Sequence, residues 1–293
     1  MKEFRLVVWN IAEGGQANYK PKEIYEWTSR LDLIAESIKF LKADIVAIID
    51  AFGWNKWPDG LFKEKFPKYR LEGLYTLGDI EDFCYAILVK KDIPSENIFS
   101  KQHNLFRERT IIEVSAYGVT ITVAYLDAND AEKRKNELSC LLSTTKSALI
   151  AGDLNTIFIN PKATLFGSIQ TFFQHWRIFG LWLCSRQVRE MFCSPDILKH
   201  TYWIPVNSDK TPSFPLLHFW TGFFAEAKDI KSRTAWLWRN FFFPCPVIRL
   251  DNVFWRTSCN IPRRCFKVQV VSSTTIDKAS DHRPLVIDFE PPD

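Results

Sequence analysis

The chain has 293 residues, 46% of them hydrophobic and 25% charged. That composition can bury a sizeable core and argues against a disordered chain. Its 38 basic and 34 acidic residues leave a formal charge of only +4, which argues against broad electrostatic capture of nucleic acid while permitting a phosphate-bearing ligand.

From the N-terminus, Phe4 to Asn10 is apolar and rich in strand formers, as expected of a strand buried on both faces. A polar loop over Ala12 to Lys22 follows. Ser29 is placed to cap a helix whose Leu31, Ile34, Ala35, Ile38 and Leu41 share one face. Asp44 leads into a second strand, Ile45 to Ile49, ending at Asp50. This opening brings Asn10 and Asp50 to the C-terminal ends of neighbouring strands. Further strands are expected at Tyr85 to Val89, Thr110 to Ala116 and Thr120 to Leu126, the last two joined by a tight turn at Tyr117-Gly118. A charged helix from Ala131 to Leu142 precedes a strand, Ala148 to Ala151, and a sharp turn at Gly152-Asp153. Late strands are expected at Val247 to Trp255, Lys267 to Ser272 and Leu285 to Phe289. Two packed sheets with outer helices account for this mixture.

The stretch from Phe172 to Pro246 differs, being crowded with Phe and Trp. It reads as an insertion at about 172–246 within one domain spanning 1–293. Its aromatics could stack bases, meet lipid or another protein, or form the insertion's own core. His175, His200 and His218 match no metal-binding spacing and read as structural. The seven cysteines include no CxxC pair, which fits thiols in a reducing compartment better than a disulfide framework or a zinc site. The opening residues read as a strand rather than a signal peptide. The most apolar stretch, Leu216 to Ala225, is far short of the ~20 residues needed to span a bilayer. The expectation is a soluble cytoplasmic protein with no transmembrane segment.

Three segments place acid, amide or imidazole groups at the ends of apolar strands. In Ala-Leu-Ile-Ala-Gly-Asp-Leu-Asn, Asp153 and Asn155 stand two apart and can face one site, and Gly152 lets the backbone turn before them. In Ser280-Asp281-His282-Arg283-Pro284, Asp281 offers a hard oxygen ligand beside an imidazole that can contact a phosphate. In Arg249-Leu250-Asp251, the carboxylate could orient His282 and raise its pKa.

With Val-Val-Trp-Asn-Ile, Asp-Ile-Val-Ala-Ile-Ile-Asp and Ala-Tyr-Leu-Asp added, and Arg-Leu-Asp-Asn-Val-Phe and Ser-Asp-His-Arg-Pro in order behind Gly-Asp-Leu-Asn, the chain resembles the endonuclease/exonuclease/phosphatase superfamily. The resemblance covers residues 4–160 and 247–290. It implies a DNase I-like fold, a four-layer α-β-β-α sandwich of two mixed, mainly antiparallel sheets with outer helices. It also implies a phosphodiesterase dependent on Mg²⁺ or Mn²⁺. Asp50, Asn10 and Asp281 would hold the metal. Asp153 would activate the attacking water, with Asn155 aligning it or the phosphate. His282, held by Asp251, would stabilise charge on the phosphoryl oxygen. Tyr125 takes a position where many members carry histidine and the abasic-site endonuclease branch carries tyrosine, contacting the phosphate. The family's pattern has Gln-Glu where this chain has Ile49-Asp50, a shorter carboxylate.

The implied substrate is a phosphate ester, nucleic acid first. Rivals are hydrolysis of a phospholipid or small phosphate ester, and a weakened binding protein that keeps the fold. Each residue also has a plainer role. Asp153 and Asn155 could serve turn chemistry, Asp281-His282 a cap, Asp251 a salt bridge to Arg249, Asn10 its loop, and Tyr125 core packing. Asp127, Asn129 and Asp130 read as a helix-capping cluster, and Glu13 as solvated loop charge.

Overall fold

The computed structural model describes residues 1–11, 27–57, 59–77, 80–105, 109–128, 130–155, 203–206, 251–280 and 282–291. Two six-stranded sheets form the centre. The first runs in the order β11 (Phe266–Val270), β12 (Leu285–Phe289), β1 (Phe4–Asn10), β2 (Ile45–Ile49), β4 (Ile80–Lys90), β3 (Tyr69–Leu77). The second runs β5 (Ile98–Asn104), β6 (Thr110–Ala116), β7 (Val119–Tyr125), β8 (Leu149–Asp153), β10 (Asp251–Arg256), β9 (Trp203–Pro205). Each sheet has one parallel pair at its middle, β1 with β2 and β7 with β8. All other pairs are antiparallel.

The hydrophobic pattern explains the layering. Leu6, Val8, Ile45, Ala47 and Ile49 of the first sheet meet Ile121, Val123, Leu149, Ala151 and Val253 of the second in a shared inner core. The alternate residues Val7, Trp9, Val46 and Ile48 face outward, where α1 (Trp27–Leu41) and α4 (Thr274–Ala279) cover them with Leu31, Ile34, Ile38 and Ile276. The second sheet is covered on its outer face by Leu138, Leu141 and Leu142 of α3 (Ala131–Thr144). Because both faces of each central strand are buried, β1 and β2 read as continuous apolar runs rather than alternating ones. The short α2 (Asp59–Lys65) precedes β3. Helices, sheet, sheet and helix make the expected four layers.

Several local readings need correction. Ser29 lies inside α1 rather than before its first residue, because the helix already includes Trp27. The charged helix runs two residues further, to Thr144, and β8 continues through Gly152 and Asp153. Asp130 caps α3 by accepting from the Glu132 and Lys133 amides at 3.0 Å, and its own amide donates to Asp127. The capping cluster is therefore real at Asp127 and Asp130, while Asn129 lies outside the described residues. Tyr117 and Gly118 both have positive φ, 50° and 85°, the signature of a two-residue hairpin turn.

Of the aromatic stretch, only residues 203–206 are described. Trp203–Pro205 is the edge strand beside β10, and the buried Trp203 indole donates to the Leu142 carbonyl at 2.8 Å. The rest of that stretch, with His175, His200 and His218, lies outside the described residues, as do Glu13, Arg249 and Asp281. Cys84, Cys140, Cys259 and Cys265 carry no disulfide. Among the described residues no helix is long and apolar enough to cross a membrane, which says nothing of a β-barrel.

Candidate functional site

The strand registers build the site. Asn10 pairs with Ile49 across the parallel β1–β2 ladder, so Asn10 and the next residue after β2, Asp50, leave the first sheet at the same edge. In the second sheet Tyr125 pairs with Asp153, and Asp153 pairs with Asp251. Three adjacent strands thus present these residues in one row. The two edges meet where the Asn10 Nδ2 donates to Asp153 Oδ2 at 2.9 Å.

Gly152 is required for this arrangement. Its φ is 147°, and a Cβ there would run into the Ala124 carbonyl oxygen of the neighbouring strand. Beyond it, Asn155 adopts φ 46°, which folds its backbone amide back onto Asp153 Oδ1 at 3.0 Å. The Asn155 side-chain amide donates to the Leu126 carbonyl at 2.9 Å. Asn155 is therefore both a turn residue and a direct partner of Asp153.

Asp251 Oδ2 lies 2.9 Å from His282 Nδ1, so the two form a carboxylate–imidazole pair that fixes the ring's orientation. Arg249, the other partner considered for Asp251, lies outside the described residues. His282 Nε2 then faces Asp153 Oδ2 at 3.7 Å, too long for a direct hydrogen bond. The His282 backbone is fixed at both ends: its amide donates to Ser280 Oγ at 3.1 Å and its carbonyl accepts from the Trp9 indole at 2.8 Å. Ser280 Oγ in turn donates to the Asn10 carbonyl at 2.8 Å. The buried Arg30 donates to the carbonyls of Ile11 and Ala279, at 2.8 and 3.2 Å, tying down the residues that follow Asn10 and precede Ser280.

Burial sets the electrostatics. Asp153 is 1% exposed, and desolvation pushes its pKa up from 3.8 to about 6, opposed by His282 and reinforced by Asp251. Tyr125 is partly buried, and desolvation holds its phenol well above the ordinary value of 10.0, with Asp153 and Asp50 adding to the effect. Its amide donates to the Tyr85 hydroxyl at 3.0 Å, and that hydroxyl donates to the Thr110 carbonyl at 3.1 Å. The Arg109 guanidinium lies 5.4 Å from the Tyr125 ring centre, a cation–π contact. Arg109 is itself held by Glu137 and Asp127, each at 3.2 Å.

Asp153, Asp251 and His282 offer ligand atoms within 4.8 Å of one another. Asp50, buried and in the left-handed region at φ 59°, lies near enough to act on Tyr125 as Asp153 does. Two buried carboxylates and one imidazole, Asp153, Asp251 and His282, form a donor set that a divalent cation would fit. The expected metal residues Asn10 and Asp50 are brought to this edge, while Asp281 lies outside the described residues.

Sequence reasoning missed Arg30, Trp9, Ser280, Tyr85 and Arg109. The signal for Arg30 was present as a charge at the head of an apolar helical face. The others bond across long sequence separations that no local pattern reports.

No protein-family profile and no curated protein sequence matches this chain. Solved structures do. An endonuclease/exonuclease/phosphatase family protein from Bacteroides thetaiotaomicron superposes with TM-score 0.54 at 12% identity, over 99% of this chain and 98% of the other. The chain has the endonuclease/exonuclease/phosphatase fold. An AP endonuclease from Archaeoglobus fulgidus gives TM-score 0.54 at 16% identity, over 98% of this chain and 99% of the other. D. rerio TDP2, complexed with a single-strand DNA product, gives 0.53 at 12% identity, over 99% and 100%. In this fold the row Tyr125–Asp153–Asp251 and the pair Asn10–Asp50 occupy the facing edges of the two sheets.

Proposed function

We propose that the chain is a divalent-metal-dependent phosphodiesterase acting on nucleic acid. The observation that carries this reading is the convergence of Asp153, Asp251 and His282 within 4.8 Å on the edge shared by two sheets of this fold. Two of the similar structures are named as an AP endonuclease and as TDP2 with a DNA product, which favours nucleic acid over a phospholipid or small ester.

In this mechanism Asp153 is the general base. Asn10 and the Asn155 amide hold its two oxygens in place, and a pKa raised to about 6 suits proton removal near neutrality. The pair Asp251–His282 presents Nε2 toward the same space. A protonated imidazole there stabilises the charge that gathers on the phosphoryl oxygens. The Asn155 side-chain amide, whose other hydrogen goes to the Leu126 carbonyl, and the Tyr125 hydroxyl would add donors to the phosphate. Asp50, Asn10 through its side-chain Oδ1, and Asp281 would hold a Mg²⁺ or Mn²⁺ ion, which would supply positive charge to the phosphate and the leaving oxygen.

The test is hydrolysis of abasic duplex DNA, single-stranded DNA, RNA, a chromogenic phosphodiester and a phospholipid, with Mg²⁺, Mn²⁺ or chelator. Nucleic-acid turnover that needs the metal, falls with salt and vanishes in Asp153→Asn and His282→Ala supports the proposal. Turnover of the phospholipid alone moves the substrate class. A folded, metal-binding protein that turns over nothing on the panel overturns the enzyme reading in favour of a binding protein, which the shorter Asp50 carboxylate already motivates.

A further inference from the structure

Arg109 stands one residue before β6, and that end of β6 lies beside the end of β7. The β6–β7 register sets Ile111 opposite Ala124, so Arg109 falls one residue beyond the rung of Tyr125. Its guanidinium is clamped between two acids. Nε donates to Glu137 Oε1 and an Nη donates to Asp127 Oδ2, each at 3.2 Å. A guanidinium donates from its edge and keeps its flat faces apolar. The clamped group can therefore also lie over the Tyr125 ring, 5.4 Å from its centre.

The clamp is anchored in turn. Glu137 on α3 is fully buried and accepts the Asp127 amide at 2.8 Å. The Asp127 carbonyl accepts from Arg134 at 2.8 Å. Between Tyr125 and Asp127 stands Leu126, whose carbonyl accepts the Asn155 side-chain amide at 2.9 Å. Arg109 thus braces the short segment 125–127 from which both phosphate donors of the proposed mechanism, Tyr125 and Asn155, are held. It also acts on the phenol electrically. Burial, Asp153 and Asp50 make the Tyr125 hydroxyl a weaker acid, and the Arg109 guanidinium opposes them. A cation over the ring favours the hydroxyl as a donor.

We propose that Arg109 is a positioning residue for the phosphodiesterase reaction: clamped by Glu137 and Asp127, it holds the Tyr125 ring so that the hydroxyl meets the phosphate, and strengthens that hydroxyl as a donor. The inference rests on the phosphodiesterase reading above and adds to it a residue that acts through Tyr125. Service as counter-ion to Glu137 accounts for the clamp but not for the contact with the ring. If Arg109 works through the hydroxyl, its effect on turnover disappears once the hydroxyl is gone.

The test is a double-mutant cycle in kcat. The substrate is whichever of abasic duplex DNA, single-stranded DNA and RNA the wild type cleaves fastest with Mg²⁺ or Mn²⁺. Arg109→Met is made together with Glu137→Gln, so that no buried acid loses its cation, and Glu137→Gln alone is the reference. Circular dichroism and thermal melting confirm that each variant is folded. Adding Arg109→Met should lower kcat about tenfold, but by less than about twofold where Tyr125→Phe is already present. Equal losses in the two backgrounds would overturn the proposal and leave Arg109 a structural partner of Glu137. A second readout needs no substrate. In protein labelled with ring-¹³C tyrosine, the Tyr125 signal, recognised by its loss in Tyr125→Phe, should shift on Arg109→Met while those of Tyr69 and Tyr117 hold. An unmoved Tyr125 signal would also overturn the role of Arg109, with the phosphodiesterase reading intact wherever the wild type turns over. A wild type that cleaves none of the three nucleic acids would sink that reading and this role with it.

Discussion

The Asn10 side chain on β1 of one sheet donates to Asp153 on β8 of the other at 2.9 Å, both residues being buried. Together with the His282–Asp251 pair, this bond ties the two site-bearing edges together. Asn10→Ala should cost about 1.5–3 kcal/mol of stability, the usual range for a hydrogen bond to a charged group. Asn10→Asp should cost more in metal-free protein, because it sets a second carboxylate against Asp153. Added Mg²⁺ should narrow the gap between the two variants. Urea denaturation with and without the metal measures all of this, and an unchanged gap would argue against a cation bound at this edge.

Asp153 itself should destabilise the metal-free fold at neutral pH. Its carboxyl is pushed up from 3.8 to about 6 by burial, so between those values the native state binds more protons than the unfolded chain. The contribution of this group to stability therefore falls as pH rises from about 4 to about 6. Asp153→Asn removes the ionisation and should raise the melting temperature on the order of 5 °C at pH 7, while abolishing turnover. At pH 4 the difference should shrink toward zero. A variant that melts lower than wild type at both pH values would refute the burial argument.

The strands buried on both faces were legible from residue type alone. Phe4–Asn10, Ile45–Ile49, Thr110–Ala116 and Leu285–Phe289 have the bounds their apolar runs predict. The strands that escaped notice are exposed or irregular. Tyr69–Leu77 carries Arg70, Glu72 and Gly73 at the edge of the first sheet, with a register shift at Gly73. Ile98–Asn104 ends in Lys101, Gln102, His103 and Asn104 at the edge of the second. Edge strands bury one face at most, so their sequence carries little of the signal that marks a central strand. At the site, the residue types were visible but their partners were not. Only the registers Tyr125–Asp153 and Asp153–Asp251 reveal that side chains far apart in sequence form one row.

Gly152 makes a sharp stability prediction. A methyl group there meets the Ala124 carbonyl of the parallel neighbour β7, in a backbone conformation that L residues rarely adopt. Gly152→Ala should destabilise by about 2–4 kcal/mol and should displace Asp153 in the same step. Chemical denaturation gives the first quantity, and a loss of turnover larger than the unfolded fraction explains gives the second.

Arg109 joins a buried acid to the site. Glu137 is fully buried, accepts from Arg109 Nε at 3.2 Å and also takes the Asp127 amide at 2.8 Å. Removing the guanidinium leaves that acid with less compensation, so Arg109→Ala should cost roughly 3 kcal/mol. Glu137→Gln in the same background should recover part of the loss, a non-additivity that a double-mutant cycle resolves. Additive costs would show that the two side chains do not act as a pair.

Asp50 stands where the pattern this chain resembles has glutamate, and the backbone offers a physical reason. Its φ is 59°, in the left-handed region, which aspartate tolerates better than glutamate because its short side chain can bond locally. Asp50→Glu should therefore keep metal binding while losing about 0.5–1 kcal/mol of stability. Asp50→Asn keeps shape and conformation but removes the charge, and should weaken Mg²⁺ or Mn²⁺ binding about tenfold or more. Calorimetric titration of metal into the three proteins separates these effects. Equal affinities in wild type and Asp50→Asn would remove Asp50 from the ligand set and leave the metal, if bound, to Asp153, Asp251 and His282. A gain in turnover by Asp50→Glu at unchanged stability would instead show that the shorter carboxylate impairs the site rather than suiting its backbone.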